Sequence, residues 1–193
     1  LRYYRVSGHQ KYTRNYFNNL SFRTDNPDAY LALQADLLPY ERQATFNAFV
    51  FGGLGATYLS PKAQLDNVWY SLAPLRTEAV AYTRLPRMFV AGLGLMGRLS
   101  AKTQVGIELS NTFLNSDYLD DVSTVYPPPA DLGSELAIRL SDRSGEIGQP
   151  APQPGWTRGN PRKKDSYVFL SLKLYQEIGS RSYVIERRRT RCP

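Results

Sequence analysis

The sequence is poor in the residues that chemistry usually recruits. Its 193 residues hold one cysteine, Cys192, and one histidine, His9. A lone cysteine excludes an internal disulfide, a Cys-x-x-Cys redox pair and a cysteine-cluster metal site. A lone histidine excludes a two-histidine zinc motif. No run approaches the ~20 apolar residues of a membrane-spanning helix, so a helical membrane protein is excluded too. There is no D-x-[DN]-x-[DN]-G calcium loop and no G-x-S-x-G nucleophile elbow. No window has a convincing helical period. The expectation is a non-enzymatic protein without metal or cofactor.

What the chain does contain is 14 Tyr, 14 Gly and 13 Pro, with a net charge of +7. Much of that charge is local, in RRRTR at 187–191 and RGNPRKK at 158–164. Such blocks suit an anionic surface; nucleic acid is not expected as a partner. The chain opens on LRYYRV, which reads as part of a strand, so a leader and further chain are expected ahead of residue 1.

Alternation with a period of two marks the strands. Residues 28–38 set Ala29, Leu31, Leu33, Ala35 and Leu37 against Tyr30, Gln34 and Asp36. Residues 45–58 set Phe46, Ala48, Val50, Leu54, Ala56 and Tyr58 against Asn47 and several glycines. In residues 87–99, Phe89, Ala91, Leu93, Leu95 and Leu99 oppose Gly92, Gly94 and Arg98. In residues 104–115, Val105, Ile107 and Leu109 oppose Glu108, Ser110 and Thr112. In residues 166–175, Val168, Leu170, Leu172 and Leu174 oppose Ser171 and Lys173. Residues 1–7 form a shorter sixth strand.

The links alternate in length. PYERQA (39–44) and SAKT (100–103) are short, whereas 8–27, 60–85 and 116–164 are long. Short turns at one rim and long loops at the other are the habit of outer-membrane barrels. A soluble sheet with the aliphatic face as core fits the faces equally well but not this asymmetry. The reading is therefore an all-β, antiparallel transmembrane barrel of about eight strands. Six lie in this sequence and two are expected before residue 1. A charge facing lipid would cost several kcal/mol, so Asp36, Arg98, Glu108 and Lys173 are expected to face the lumen and pair there. The barrel with its loops spans 1–179, and a basic tail on the periplasmic side spans 180–193.

Five stretches in order carry a resemblance: RNYFNNLSFR (14–23), VWYSLAPLRTE (68–78), NSDYLDDVS (115–123), RLSDRSGE (139–146) and RGNPRKKDSYVF (158–169). Together they resemble the PorG-like outer-membrane proteins of the Bacteroidetes type IX secretion system. The resemblance implies an outer-membrane location with both termini periplasmic. It also implies partnership with the periplasmic ring built from the lipoprotein PorK and a PorN-like subunit. The long basic ending ERRRTRCP departs from the family pattern.

Candidate sites follow. Asp117, Asp120 and Asp121 fall where a strand leaves the outer rim and are expected to order a loop, with Arg143 or Arg158 pairing with them and Asp121 and Ser123 closing turns. The external loops, with a short helix over 133–142, are expected to form a lid. His9 with Ser7 or Ser21 raises an outer-membrane acyl hydrolase. Sequence proximity is no evidence for the oriented nucleophile and base which that needs, and an exposed loop histidine is expected. Arg187, Arg188, Arg189 and Arg191 could grip partner carboxylates in bidentate pairs, with Glu41 and Arg42 in a short turn on the same rim. An unpaired cysteine in an oxidising compartment suggests an intermolecular disulfide through Cys192 to a ring subunit. Tyr40, Tyr58 and Tyr118 would sit at the lipid interfaces. The class-distinct alternative is a small porin or ligand-transport barrel.

Overall fold

A computed structural model describes residues 1–38, 45–100, 102–176 and 178. Eight antiparallel strands form one curled sheet. They are β1 Arg2–His9, β2 Ser21–Asp36, β3 Phe46–Thr57, β4 Pro61–Leu65, β5 Val68–Ser71, β6 Arg87–Arg98, β7 Thr103–Leu114 and β8 Ser166–Gln176. One helix, α1, covers Glu135–Ser141. The all-β barrel-like architecture expected from alternation is what the chain adopts, and no described helix is long and apolar enough to cross a membrane.

β2 organises the sheet. Its first half pairs with β1 along one edge. Its second half pairs with β3 along the other, and Arg23 and Thr24 pair with β4 beyond. The sheet then continues through β6 and β7 to β8. β2 starts at Ser21, inside the link expected over 8–27, and not at residue 28. Pro27 falls in the gap between the β3 and β4 pairings, a break in the ladder where a missing N–H costs little. A second departure lies within 60–85, expected as loop but holding the β4–β5 hairpin. Asp66 and Asn67 take φ of 51° and 64°, as a two-residue type I′ turn requires.

The faces are inverted relative to a soluble sheet. Leu31, Leu33, Leu54, Leu93, Leu95, Leu170, Leu172 and Leu174 are all more than half exposed. Register lines them into rows: Ala35, Val50, Leu93, Leu109 and Leu170 are successive neighbours across five strands. Leu31, Leu54, Phe89 and Phe113 form a row above them. From Val105 to Phe113 this belt runs roughly 27 Å along the strand. Monomers in water do not leave apolar area of this extent uncovered.

The concave side holds what a soluble core would exclude. Thr24, Asn26, Asp28, Thr57, Glu108, Ser110 and Thr112 are buried there. Phe49 and Phe51 fill the middle, a contribution the alternation of 45–58 did not single out. The partners across from them in β6 are Gly94 and Gly92. A Cβ at Gly92 would lie 2.5 Å from the Phe51 ring, and one at Gly94 would collide with the Phe49 ring. These glycines make room for the plug.

β1 and β8 meet through side chains. Arg2 on β1 bonds Asp28 at 2.8 Å and Thr112 on β7 at 2.9 Å. Its guanidinium lies 4.8 Å from the Phe169 ring of β8. The Tyr167 hydroxyl donates to Asp28 at 3.0 Å, and Tyr4 packs on Tyr167 and Phe169 at 4.9 and 5.2 Å. Neither Arg2 nor Asp28 was singled out in sequence, although Asp28 shares the parity of Tyr30 and Asp36.

Gly94→Val is expected to lower stability by roughly 1–3 kcal/mol through overpacking. Adding Phe49→Ala should recover part of that loss. Thermal unfolding of the single and double variants in detergent measures the coupling; strictly additive losses would show that the plug does not use the Gly94 gap.

Candidate functional site

The antiparallel order places three connections, 10–20, 58–86 and 115–165, at one rim. They form a single cap. Ser134 starts α1 by accepting from the Ala137 N–H at 3.1 Å. The helix lays Leu136 and Leu140 against Ala63, Leu65 and Leu72 of the hairpin region, so the expected short helix within 133–142 is present.

Arg158 is the hub. It pairs with Glu78 at 3.0 Å, and both side chains are only 2% exposed. Its other donors reach the carbonyls of Asp121 at 2.7 Å and Ser141 at 3.2 Å. Glu78 in turn accepts from the Ser123 and Thr124 N–H groups at 2.9 Å and from the Thr124 hydroxyl at 2.7 Å. Both Glu78 oxygens and three of the five Arg158 N–H groups are thus answered, which helps such a buried pair to be tolerated. Asp121, at φ of 66°, accepts from Thr77 and Tyr82, both at 2.5 Å. Tyr82 stacks on Tyr118 with centroids 4.2 Å apart.

A second knot closes the remaining side. Arg143 holds Glu146 through two bonds of 2.9 Å and the Ser21 hydroxyl at 3.0 Å. Asn19 donates to the Arg143 carbonyl and to Glu146. All five stretches that carry the family resemblance therefore meet in this cap.

The arginine partners differ from expectation. Arg158 takes Glu78 and Arg143 takes Glu146; neither pairs with the side chain of Asp117, Asp120 or Asp121 among the described residues. Glu78 was missed because it ends the stretch VWYSLAPLRTE, 45 positions from Ser123, whose N–H it accepts, and 80 from Arg158. Tyr118 also departs from its expected place, lying in the cap rather than at a lipid interface. Tyr58 is 40% exposed, with Arg84 4.5 Å over its ring.

The aspartates experience a dry environment. Burial pushes Asp117 up to about 6, outweighing the Ser123 hydroxyl, with the Asp165 charge adding to the rise. Burial and then Asp165 push Asp120 up to about 7. Asp121 and Asp165 are raised by burial as well. No group of three or more His, Cys, Asp or Glu among the described residues could hold a metal ion.

In the lumen, Glu108 and Lys173 form an ion pair. Asp36 accepts from Gln34 at 2.8 Å, and Arg98 lies two strands away on β6, so the four expected charges are one pair and two separate groups. His9 Nδ1 accepts from the Lys11 N–H at 2.9 Å, while the Ser21 hydroxyl is engaged by Arg143. Tyr40, Glu41, Arg42, Arg187, Arg188, Arg189, Arg191 and Cys192 lie outside the described residues. No protein-family model, curated protein or solved structure matches the chain.

Removing one partner of the Arg158–Glu78 pair strands a buried charge, a loss of about 3–5 kcal/mol. Glu78→Ala is therefore expected to open residues 115–165 to limited proteolysis while the strands stay protected. Equal resistance of variant and parent would show that the hub does not hold the cap. The aspartates predict a pH dependence. Their folded-state affinities for protons are raised, so the folded cap keeps protons that an unfolded chain releases above about pH 4. The stability these groups contribute is fully present below about pH 4 and is lost as pH rises through about 6 to 7. The melting midpoint of the cap, followed by near-UV circular dichroism, should drop between about pH 4 and 7, and Asp120→Asn should flatten the drop. A midpoint that rises over this range would contradict it.

Proposed function

We propose that the chain is a non-enzymatic, integral outer-membrane barrel that anchors the periplasmic ring of a type IX secretion machine. The observation that carries the membrane part is the exposed apolar belt around a polar, aromatic-filled interior. The ring as partner rests on the five stretches that resemble PorG-like proteins, now met in one cap.

The geometry gives the proposal a direction. The end of β2, the start of β3, the end of β6, the start of β7 and the end of β8 lie at the rim opposite the cap. That rim carries the attachment points of Glu41 and Arg42 and of the basic tail. The barrel supplies position, and the tail supplies guanidinium groups for carboxylates of PorK or PorN. Cys192 supplies a thiol for an intermolecular disulfide. Phe49, Phe51 and the Glu108–Lys173 pair occupy the space an open pore would need, which favours an anchor over the porin alternative.

Detergent extraction of carbonate-washed envelopes, followed by purification through a tag in the cap, is expected to recover the ring subunits with the barrel. Replacing the four tail arginines by serine should reduce their recovery several-fold. Release of the chain by carbonate would remove the membrane reading. Membrane retention without ring subunits would remove the partner, and stable conductance in planar bilayers would favour the porin. On non-reducing electrophoresis, a heavier band that persists in a Cys192→Ser strain would remove the disulfide.

A further inference from the structure

Immediately beyond the apolar belt, on the cap side, the outward face of the sheet turns basic. Arg87 is exposed two positions beyond Phe89 on β6, about 7 Å along the strand. Tyr58 stands four positions beyond Leu54, and its N–H donates to the Pro27 carbonyl at 3.1 Å. The Arg84 guanidinium lies 4.5 Å over the Tyr58 ring, and its Nε donates to the Leu59 carbonyl at 3.1 Å. Further out on the same flank, Arg5 of β1 and Arg23 of β2 also point outward. Arg23 lies 4.0 Å over the Trp69 ring, and Lys62 of β4 is its register partner.

Counter-charge on this flank falls short. β1, β4, β5, the cap half of β2 and the segments 58–60 and 84–87 hold two carboxylates, Asp25 and Asp28. Asp28 is turned inward to Arg2, and Asp25 is already shared by Arg5 at 2.5 Å and Arg23 at 3.8 Å. Lys62, Arg84 and Arg87 make no ion pair among the described residues. Laying a guanidinium on a ring fixes its plane and leaves its edge free to donate. The level of these groups narrows what they meet. Headgroups add about 5–7 Å to each side of a hydrocarbon core about 30 Å thick. Arg87 falls at that level, and Tyr58 with Arg84 just above it. Phosphate is the anion found there, and a guanidinium edge matches two of its oxygens. Arg5, Arg23 and Lys62 carry the positive field further out, which suits a headgroup with more than one anionic group.

We infer that this flank of the cap-side rim binds a phosphorylated lipid headgroup, with Arg84 and Arg87 donating to phosphate oxygens and Tyr58 holding Arg84 in place. The inference rests on the membrane reading of the belt and does not depend on the secretion role.

The full chain is folded into phosphatidylcholine vesicles that contain diphosphoryl lipid A and its dephosphorylated form in equal amounts, and the vesicles are floated on a sucrose gradient. After detergent is added the chain is captured, and the lipid A that stays with it is measured by mass spectrometry. The diphosphoryl form is expected to be enriched about tenfold over the other. Arg87→Gln should lower the enrichment several-fold, and Arg84→Gln together with Arg87→Gln should remove it. Arg87 is exposed and makes no ion pair, so the single variant keeps the parent melting midpoint and reads the site even where the double variant does not fold. A chain that floats without enriching the diphosphoryl form overturns the site and leaves the membrane reading standing. So does enrichment that survives the substitutions in folded protein. A chain that does not float removes the membrane reading and the site with it.

Discussion

Everything in this molecule follows from which way the side chains of a curled sheet point. A strand offers two faces and no third choice. Here the leucines, valines and phenylalanines of five adjacent strands point outward in continuous rows, leaving the inner face to hydroxyls, amides, charges and a few aromatic rings. In water this arrangement would be unfavourable by the measure of buried apolar area. In hydrocarbon it is the arrangement that satisfies both the belt and the backbone, since strands in a sheet hydrogen-bond one another. The polar interior is then a requirement, and it is met by specific pairs: Arg2 with Asp28 and Thr112, Glu108 with Lys173.

The cap has a different logic. Long connections at the rim carry many polar backbone groups and could remain solvated. Instead they are gathered around one buried ion pair that also bonds Ser123, Thr124, Asp121 and Ser141. Gly159 shows how close the packing is, because a Cβ there would lie 2.6 Å from the Ser123 nitrogen. A pair of this kind gives less net stability than an apolar contact, but its geometry is exacting. That suits a surface that must keep one shape.

The strands were legible because a period of two is a local signal, readable in any six or seven residues; β3, β6, β7 and β8 fall within a residue or two of expectation. The β4–β5 hairpin was not, although Asp66–Asn67 is a recognisable turn pair, because its flanking strands are too short to show alternation. The plug of Phe49 and Phe51 was hidden by its own mechanism. Those rings sit opposite Gly92 and Gly94 on a neighbouring strand, and nothing within 45–58 reveals that complement. In the cap, local reading found the right residues with the wrong partners. Arg158 and Glu78 are 80 positions apart, and pairing at that distance is decided by the fold.

The central claim is the outward orientation of the aliphatic rows, and β8 tests it most directly. Nitroxide labels placed one at a time along 168–174, in a Cys192→Ser background reconstituted into vesicles, report collision with oxygen and with a water-soluble nickel chelate. Oxygen access is expected to peak at 168, 170, 172 and 174 and to fall at 169, 171 and 173, with the chelate excluded from 170 and 172. Oxygen peaks at the odd positions, or free access of the chelate to 170 and 172, would contradict the account.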